Sequence, residues 1–209
     1  MTAAMNLVMK ASEPTDTELV RRLLDGDKEA FAELYQRRHA NIYRFALHMS
    51  GRPEMADDVA QETFMVLINK SAIYDETKGA VNSFLLGIAR NQVLRRLRQE
   101  RPTVQAEEHH EEIDHSTSMH SHRSSFARKE KIDAVRKAIL SLPEHYREVV
   151  ILCELQEVSY AETAHILNCA VGTVRSRLHR ARAILAEKLE PARDESSESS
   201  ALNSTRCFA

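Results

Sequence analysis

Hydrophobic periodicity stops at Arg101 and does not return until Phe126. The intervening stretch carries Glu107, Glu108, Glu111, Glu112 and Asp114, interleaved with five histidines and several serines. A segment of this composition cannot bury enough apolar surface to offset the entropy of ordering it, so residues 101–127 read as a flexible linker. Two cores must then be built from what flanks it, one from residues 15–100 and one from residues 128–190. Residues 1–14 are expected to be disordered, and the Ser- and Glu-rich residues 191–209 to form a flexible tail.

Both flanks favour helix. The chain of 209 residues has only 5 Gly and 5 Pro, and aromatic residues make up 5% of it, which is poor material for turns and sheets. Ala, Leu, Glu, Arg and Gln dominate instead. Thr15 and Glu18 have capping-box spacing at the head of a short helix reaching Leu24. Asp27 can cap a second helix, in which Phe31, Leu34, Tyr35, Ile42, Phe45 and Met49 recur near helical spacing until Gly51-Arg52-Pro53 stops it. A third helix is expected over residues 54–69 and a fourth over 82–99, with a loop at 71–80 between them. Beyond the linker, one helix runs to Leu140, Pro143 opens another to about Leu155, and two shorter helices follow. The expected fold class is all-α, with two small helical domains.

The last two helices form the strongest local pattern. In VSYAETAHILNCAVGTVRSRLHRARAIL, residues 158–185, a short helix from Tyr160 has Ala161, Ala164, Ile166 and Leu167 available to pack inward. A break at residues 168–171 follows, and a second helix opens at about Gly172-Thr173. Two short helices joined by a tight turn predict a helix-turn-helix, whose second helix is suited to the DNA major groove. At about 100° per residue, Val174, Leu178, Ala181 and Leu185 share one side. Ser176, His179 and Arg180 lie opposite, with Arg175 on the flank. Arginine can pair bidentately with guanine, and serine suits a phosphate or a base edge. Arg177 and Arg182 lie nearer the core edges and are placed to reach phosphates.

These residues also carry a family resemblance. GTVRSRLHRAR, preceded by SYAETAHILNCAV, resembles the −35-reading region 4 of sigma factors, and more narrowly the extracytoplasmic-function (ECF) group of the sigma-70 family. LPEHYREV, residues 142–149, is similar to the "LPxxxREV" that opens that region. In the N-terminal half, ADDVAQETF, residues 56–64, resembles the "DAEDLVQETF" of sigma region 2. YDETKGAVNSFL, residues 74–85, resembles "YDPxRGSFRAWL", and Ile88-Ala89-Arg90-Asn91 matches the "IARN" that follows it. Phe84 stands where the family usually has tryptophan, so a preferred −10 sequence does not carry over.

The resemblance implies a function and a site. Thr173, Arg175, Ser176, Arg177, His179, Arg180 and Arg182 would contact the −35 element. Tyr74, Lys78, Asn82, Phe84, Arg90, Asn91, Arg95 and Arg98 would contact the −10 element, with the loop over residues 74–81 capturing a flipped base. Asp57, Asp58, Gln61, Glu62, Phe64 and Met65 would dock on core RNA polymerase. The residues themselves are compatible with this. Val59, Thr63 and Leu67 can face the core while Asp58, Gln61, Glu62 and Met65 share another side. The run of arginines from Arg90 to Arg101 is opposed only by Glu100 and suits a melted strand. Promoter DNA, bacterial core polymerase and an anti-sigma factor are the implied partners.

Other readings are weaker. His109, His110, His115, His120 and His122 could ligate Zn²⁺ or Ni²⁺, but their spacing matches no closed site, and a solvated linker that protonates near pH 6 is preferred. No metal or cofactor is expected. Cys153, Cys169 and Cys207 are odd in number and scattered, which fits a reducing compartment. No apolar run approaches the roughly 20 residues of a membrane span, and residues 1–14 lack a signal-peptide pattern, so a cytoplasmic protein without membrane insertion is expected. A phosphate-binding glycine loop, a zinc-protease helix and a nucleophile elbow are all missing. Asp57 and Asp58 diverge by about 100° on a helix and make a poor catalytic pair, so no enzyme is expected. The alternatives are a free-standing helix-turn-helix regulator and a metal-responsive interaction protein built on the histidine segment.

Overall fold

The computed structural model describes residues 13–70, 74–100 and 123–189, and among these it contains helices and turns but no strand. The first unit is built from α1 (Asp16–Leu24), α2 (Lys28–Ser50), α3 (Pro53–Lys70) and α4 (Val81–Gln99), with a 3₁₀ turn at Glu76–Lys78 ahead of α4. The second comprises α5 (Arg123–Leu140), α6 (Glu144–Val150), α7 (Tyr160–Ile166) and α8 (Val171–Leu189). A π-type turn over Ile151–Leu155 extends α6.

The helix ends follow from local chemistry. The Thr15 hydroxyl accepts from the Glu18 N–H at 3.2 Å. Asp27 accepts from the N–H groups of Glu29 and Ala30, satisfying two of the donors that every helix start leaves open. Gly51 closes α2 at φ +73°, a left-handed conformation that glycine adopts without steric cost. Helix α5 begins at Arg123, inside the stretch expected to be linker. The histidine cluster at residues 109–122 and both chain ends lie outside the described residues.

The first core is filled by Leu34, Ile42, Phe45 and Met49 of α2, Val59, Phe64 and Leu67 of α3, and Leu85, Leu86 and Val93 of α4, all buried. Phe31 and Tyr35, expected on the same face, are partly buried against it. In the second unit Val149, Ile151, Leu152, Val174, Leu178 and Ala181 are buried. On α7 one expectation fails. Ala161 is exposed, and Thr163 takes the inward place beside Ala164 and Leu167. These three lie on one stripe at 100° per residue, and Ala161 falls about 60° beyond its edge.

The two units also pack on each other, which periodicity alone did not indicate. α2 lies against α5 and α6, and α4 lies against α7, so that buried residues of both halves form one continuous hydrophobic cluster. Arg147 of α6 reaches across to donate from Nη1 to the Met49 carbonyl at 2.7 Å, while its Nη2 donates to the Leu140 and Leu142 carbonyls.

His48 of α2 lies on this side of the first unit. Burial pushes its imidazole below the ordinary value of 6.5, and the cationic Arg136 of α5 and Arg44 add to the effect. The unfolded chain therefore holds the proton more tightly than the folded one. Stability is expected to be full above pH 6.5 and to fall as acidification approaches the depressed folded value. Thermal unfolding across that range should show a shallower slope for His48→Gln than for the wild type; equal slopes would remove the assignment.

Candidate nucleic-acid interface

α7 and α8 form the helix-turn-helix. Ser159 caps α7 through its side chain, which accepts from the Glu162 N–H at 3.2 Å. The turn between the helices is made by Asn168 at φ +50°, a left-handed conformation that asparagine tolerates better than most residues. α8 rests on Val174, Leu178 and Ala181, with Leu185 half-buried below them. That footing turns Arg175, Ser176, His179 and Arg180 outward, and all four are exposed. Thr173 and Arg177 are intermediate. Arg182 is exposed but ion-paired to Glu154 of the π-type turn, so its charge is already partnered. Cys153, behind α7, is half-buried. Burial pushes its thiol up, away from the reactive thiolate.

The second group of expected DNA contacts gathers at both ends of α4. The Tyr74 hydroxyl donates to the Gly79 carbonyl at 3.2 Å, and the Tyr74 ring packs on Phe84 at 5.5 Å between centroids. Lys78 is exposed and pairs with Asp75 at 3.2 Å. The Asn82 Oδ1 is buried and has no hydrogen-bond partner among the described residues, an acceptor left open beside the loop. Further along α4, Arg90, Asn91, Arg95 and Arg98 line one groove together with Leu94 and Gln99. Within it Arg90 is not free: its guanidinium lies over Glu148 of α6.

The third group lies on α3. Asp57, Asp58, Gln61 and Met65 are exposed and Glu62 is intermediate, beside exposed Ile68. Phe64 does not join this face. It is 2% exposed and packs between Phe31, Tyr35 and His39, because it falls on the Val59–Thr63–Leu67 side of the helix. Its assignment as a polymerase contact is therefore corrected to a core role. Sequence reasoning also missed Arg96, which donates from Nη1 to Asp58 at 2.8 Å and from Nη2 to Glu62. Burial opposes the charge on Arg96, and the hydrogen bonds to Asp58 and Glu62 outweigh it. Spacing on α3 and α4 taken separately holds no trace of this pairing between them.

A helix-turn-helix with an exposed cationic reading face, joined to a helical unit bearing an arginine-lined groove, defines a two-part helical protein of the transcription-factor class. Known proteins narrow this. Residues 34–103 match the family model "Sigma-70 region 2" and residues 132–185 match "Sigma-70, region 4". The ECF RNA polymerase sigma factor SigM of Mycobacterium tuberculosis is 35% identical over 179 residues, covering 85% of this chain and 86% of that one. SigW of Bacillus subtilis, also an ECF sigma factor, is 29% identical, covering 81% and 94%. Among solved structures, the sigma factor RpoE of Bartonella quintana in complex with the anti-sigma factor NepR superposes with a TM-score of 0.60 at 25% identity, covering 77% of this chain and 96% of that one. The chain belongs to the ECF group of RNA polymerase sigma factors.

Proposed function

We propose that the protein directs core RNA polymerase to specific promoters, reading the −35 element with α8 and the −10 element with the loop and groove of α4, and that it aids strand melting there. The observation that carries this reading is the co-occurrence, in one chain, of both sigma regions with the exposed Arg175–Arg180 face on α8. It acts as an initiation factor rather than an enzyme, in the cytoplasm with polymerase. An anti-sigma factor is its regulator, in keeping with the NepR complex formed by its Bartonella relative. Residues 15–100 form the polymerase- and −10-binding unit and residues 128–190 the −35-binding unit.

Run-off transcription with purified core polymerase on a promoter library is the test. The full chain should direct initiation from a defined set of promoters only when core is present. A chain that binds an operator unaided and never supports initiation would be a free-standing helix-turn-helix regulator instead. On α3, Asp58→Ala is expected to weaken core binding roughly fivefold, about 1 kcal/mol, as for an interfacial charge near a rim. The helix-turn-helix should stay folded by circular dichroism, and undiminished core affinity would show that α3 does not carry the docking face.

A further inference from the structure

The two units meet through polar contacts that occupy a residue the −10 reading needs. Arg90 of α4 places Nε 2.8 Å from Glu148 Oε1 and donates from Nη2 to Oε2 at 3.2 Å. The Glu148 carboxylate is 3% exposed and the Arg90 side chain 20%. A carboxylate buried this deeply is stabilised only while its cation stays in place. At the other end of α4, the Ser83 hydroxyl donates to Glu162 Oε1 of α7 at 2.9 Å. Burial pushes the Glu162 carboxyl up, and the hydrogen bonds from Ser159 and Ser83 outweigh it and keep the group charged. Both contacts tie the second unit onto the helix that carries the −10 groove.

This closed arrangement cannot serve both promoter elements. Elements centred near −35 and −10 are about 25 base pairs apart, on the order of 85 Å of duplex at 3.4 Å per step. Here α7, the support of the −35-reading helix, touches α4 directly.

We propose that Glu148 is an internal competitor for promoter DNA: its carboxylate holds the Arg90 guanidinium that the melted −10 strand would otherwise take, and with Ser83–Glu162 it latches the free chain shut. This rests on the assignment of the α4 groove to the −10 strand. Binding to that groove in the free chain is then weakened by the small fraction of molecules that are open, because apparent affinity scales with the competent fraction. Once polymerase holds the two units apart, the latch plays no further part.

The test uses the free full-length chain and a fluorescein-labelled pool of random single-stranded DNA. Wild type should be compact by small-angle scattering and bind weakly. Glu148→Gln should enlarge the radius of gyration and raise DNA affinity about tenfold, while run-off transcription with core stays at the wild-type level. Ser83→Ala, which deletes a hydroxyl without burying a new group, should move both readouts the same way by less. The exchange Arg90→Glu with Glu148→Arg should restore compactness. A wild-type chain that is already expanded overturns the latch. So does a Glu148→Gln chain that expands without gaining DNA affinity, or an exchange that stays open. Failure of the sigma-factor reading itself would be seen elsewhere, as wild-type protein unable to initiate with core polymerase.

Discussion

Truncating Phe64 to alanine is expected to lower the unfolding free energy by about 3–5 kcal/mol, the range for removing a buried aromatic ring without filling its space. The ring is 2% exposed and stands 4.7 Å from Tyr35, 6.2 Å from Phe31 and 6.4 Å from His39 between centroids. The 6.2 Å contact is edge-on, at 82°, an arrangement that adds attraction beyond area burial. None of these neighbours can follow the missing ring inward without leaving α2. Urea denaturation followed by far-ultraviolet dichroism measures the loss. A polymerase-contacting phenylalanine would behave in the opposite way, with core affinity falling and stability unmoved. A change below about half a kcal/mol would return Phe64 to the surface.

Arg180→Ala should act on binding alone. Arg180 is exposed on the outward side of α8 and has no bond to the rest of the fold among those described, so the helix loses nothing it rests on. A good arginine–base contact is worth about 1–3 kcal/mol, so −35-dependent initiation should drop roughly 5- to 150-fold. Promoters altered at the contacted base should show no further loss in the variant. Arg182→Ala makes the contrast. Arg182 is engaged by Glu154, so freeing it from DNA duty should cost far less. If both substitutions reduce initiation equally at every promoter, the outward face is a general phosphate contact and does not read sequence.

Where the sequence was legible, the signal was local. Thr15, Asp27 and Gly51 mark helix ends by chemistry that works over three or four residues, and Val174, Leu178 and Ala181 mark a buried face through the helical repeat. The outward placement of Arg175, Ser176, His179 and Arg180 follows from that face by elimination. The misreadings arose mainly where one helix meets another. Phe64 was within reach of the helical repeat, since it falls on the buried side of α3 with Val59, Thr63 and Leu67 while Met65 does not; the pairings that follow were not. Arg96 reads as one more cation in a basic run until α3 brings Asp58 and Glu62 against it. Arg90 reads as open to DNA until α6 presents Glu148. Each of these depends on a partner dozens of residues away, whose identity leaves no periodic mark on the helix that receives it. The loop before α4 belongs to the same class. Tyr74, Gly79 and Phe84 are held together by one hydroxyl and one ring contact, and neither follows a repeat.

The turn at Asn168 has a consequence for how such a protein can diversify. Its φ of +50° is tolerated by asparagine, aspartate or glycine, whereas a β-branched residue there would be strained by about 1–2 kcal/mol. Side chains on the outward face of α8 can be exchanged freely, since nothing in the fold rests on them. The backbone hinge that aims the helix cannot. On the proposed reading of α8, variation in promoter choice is therefore free to accumulate along it, while the angle at which α8 is presented stays filtered by a residue that only the backbone geometry constrains.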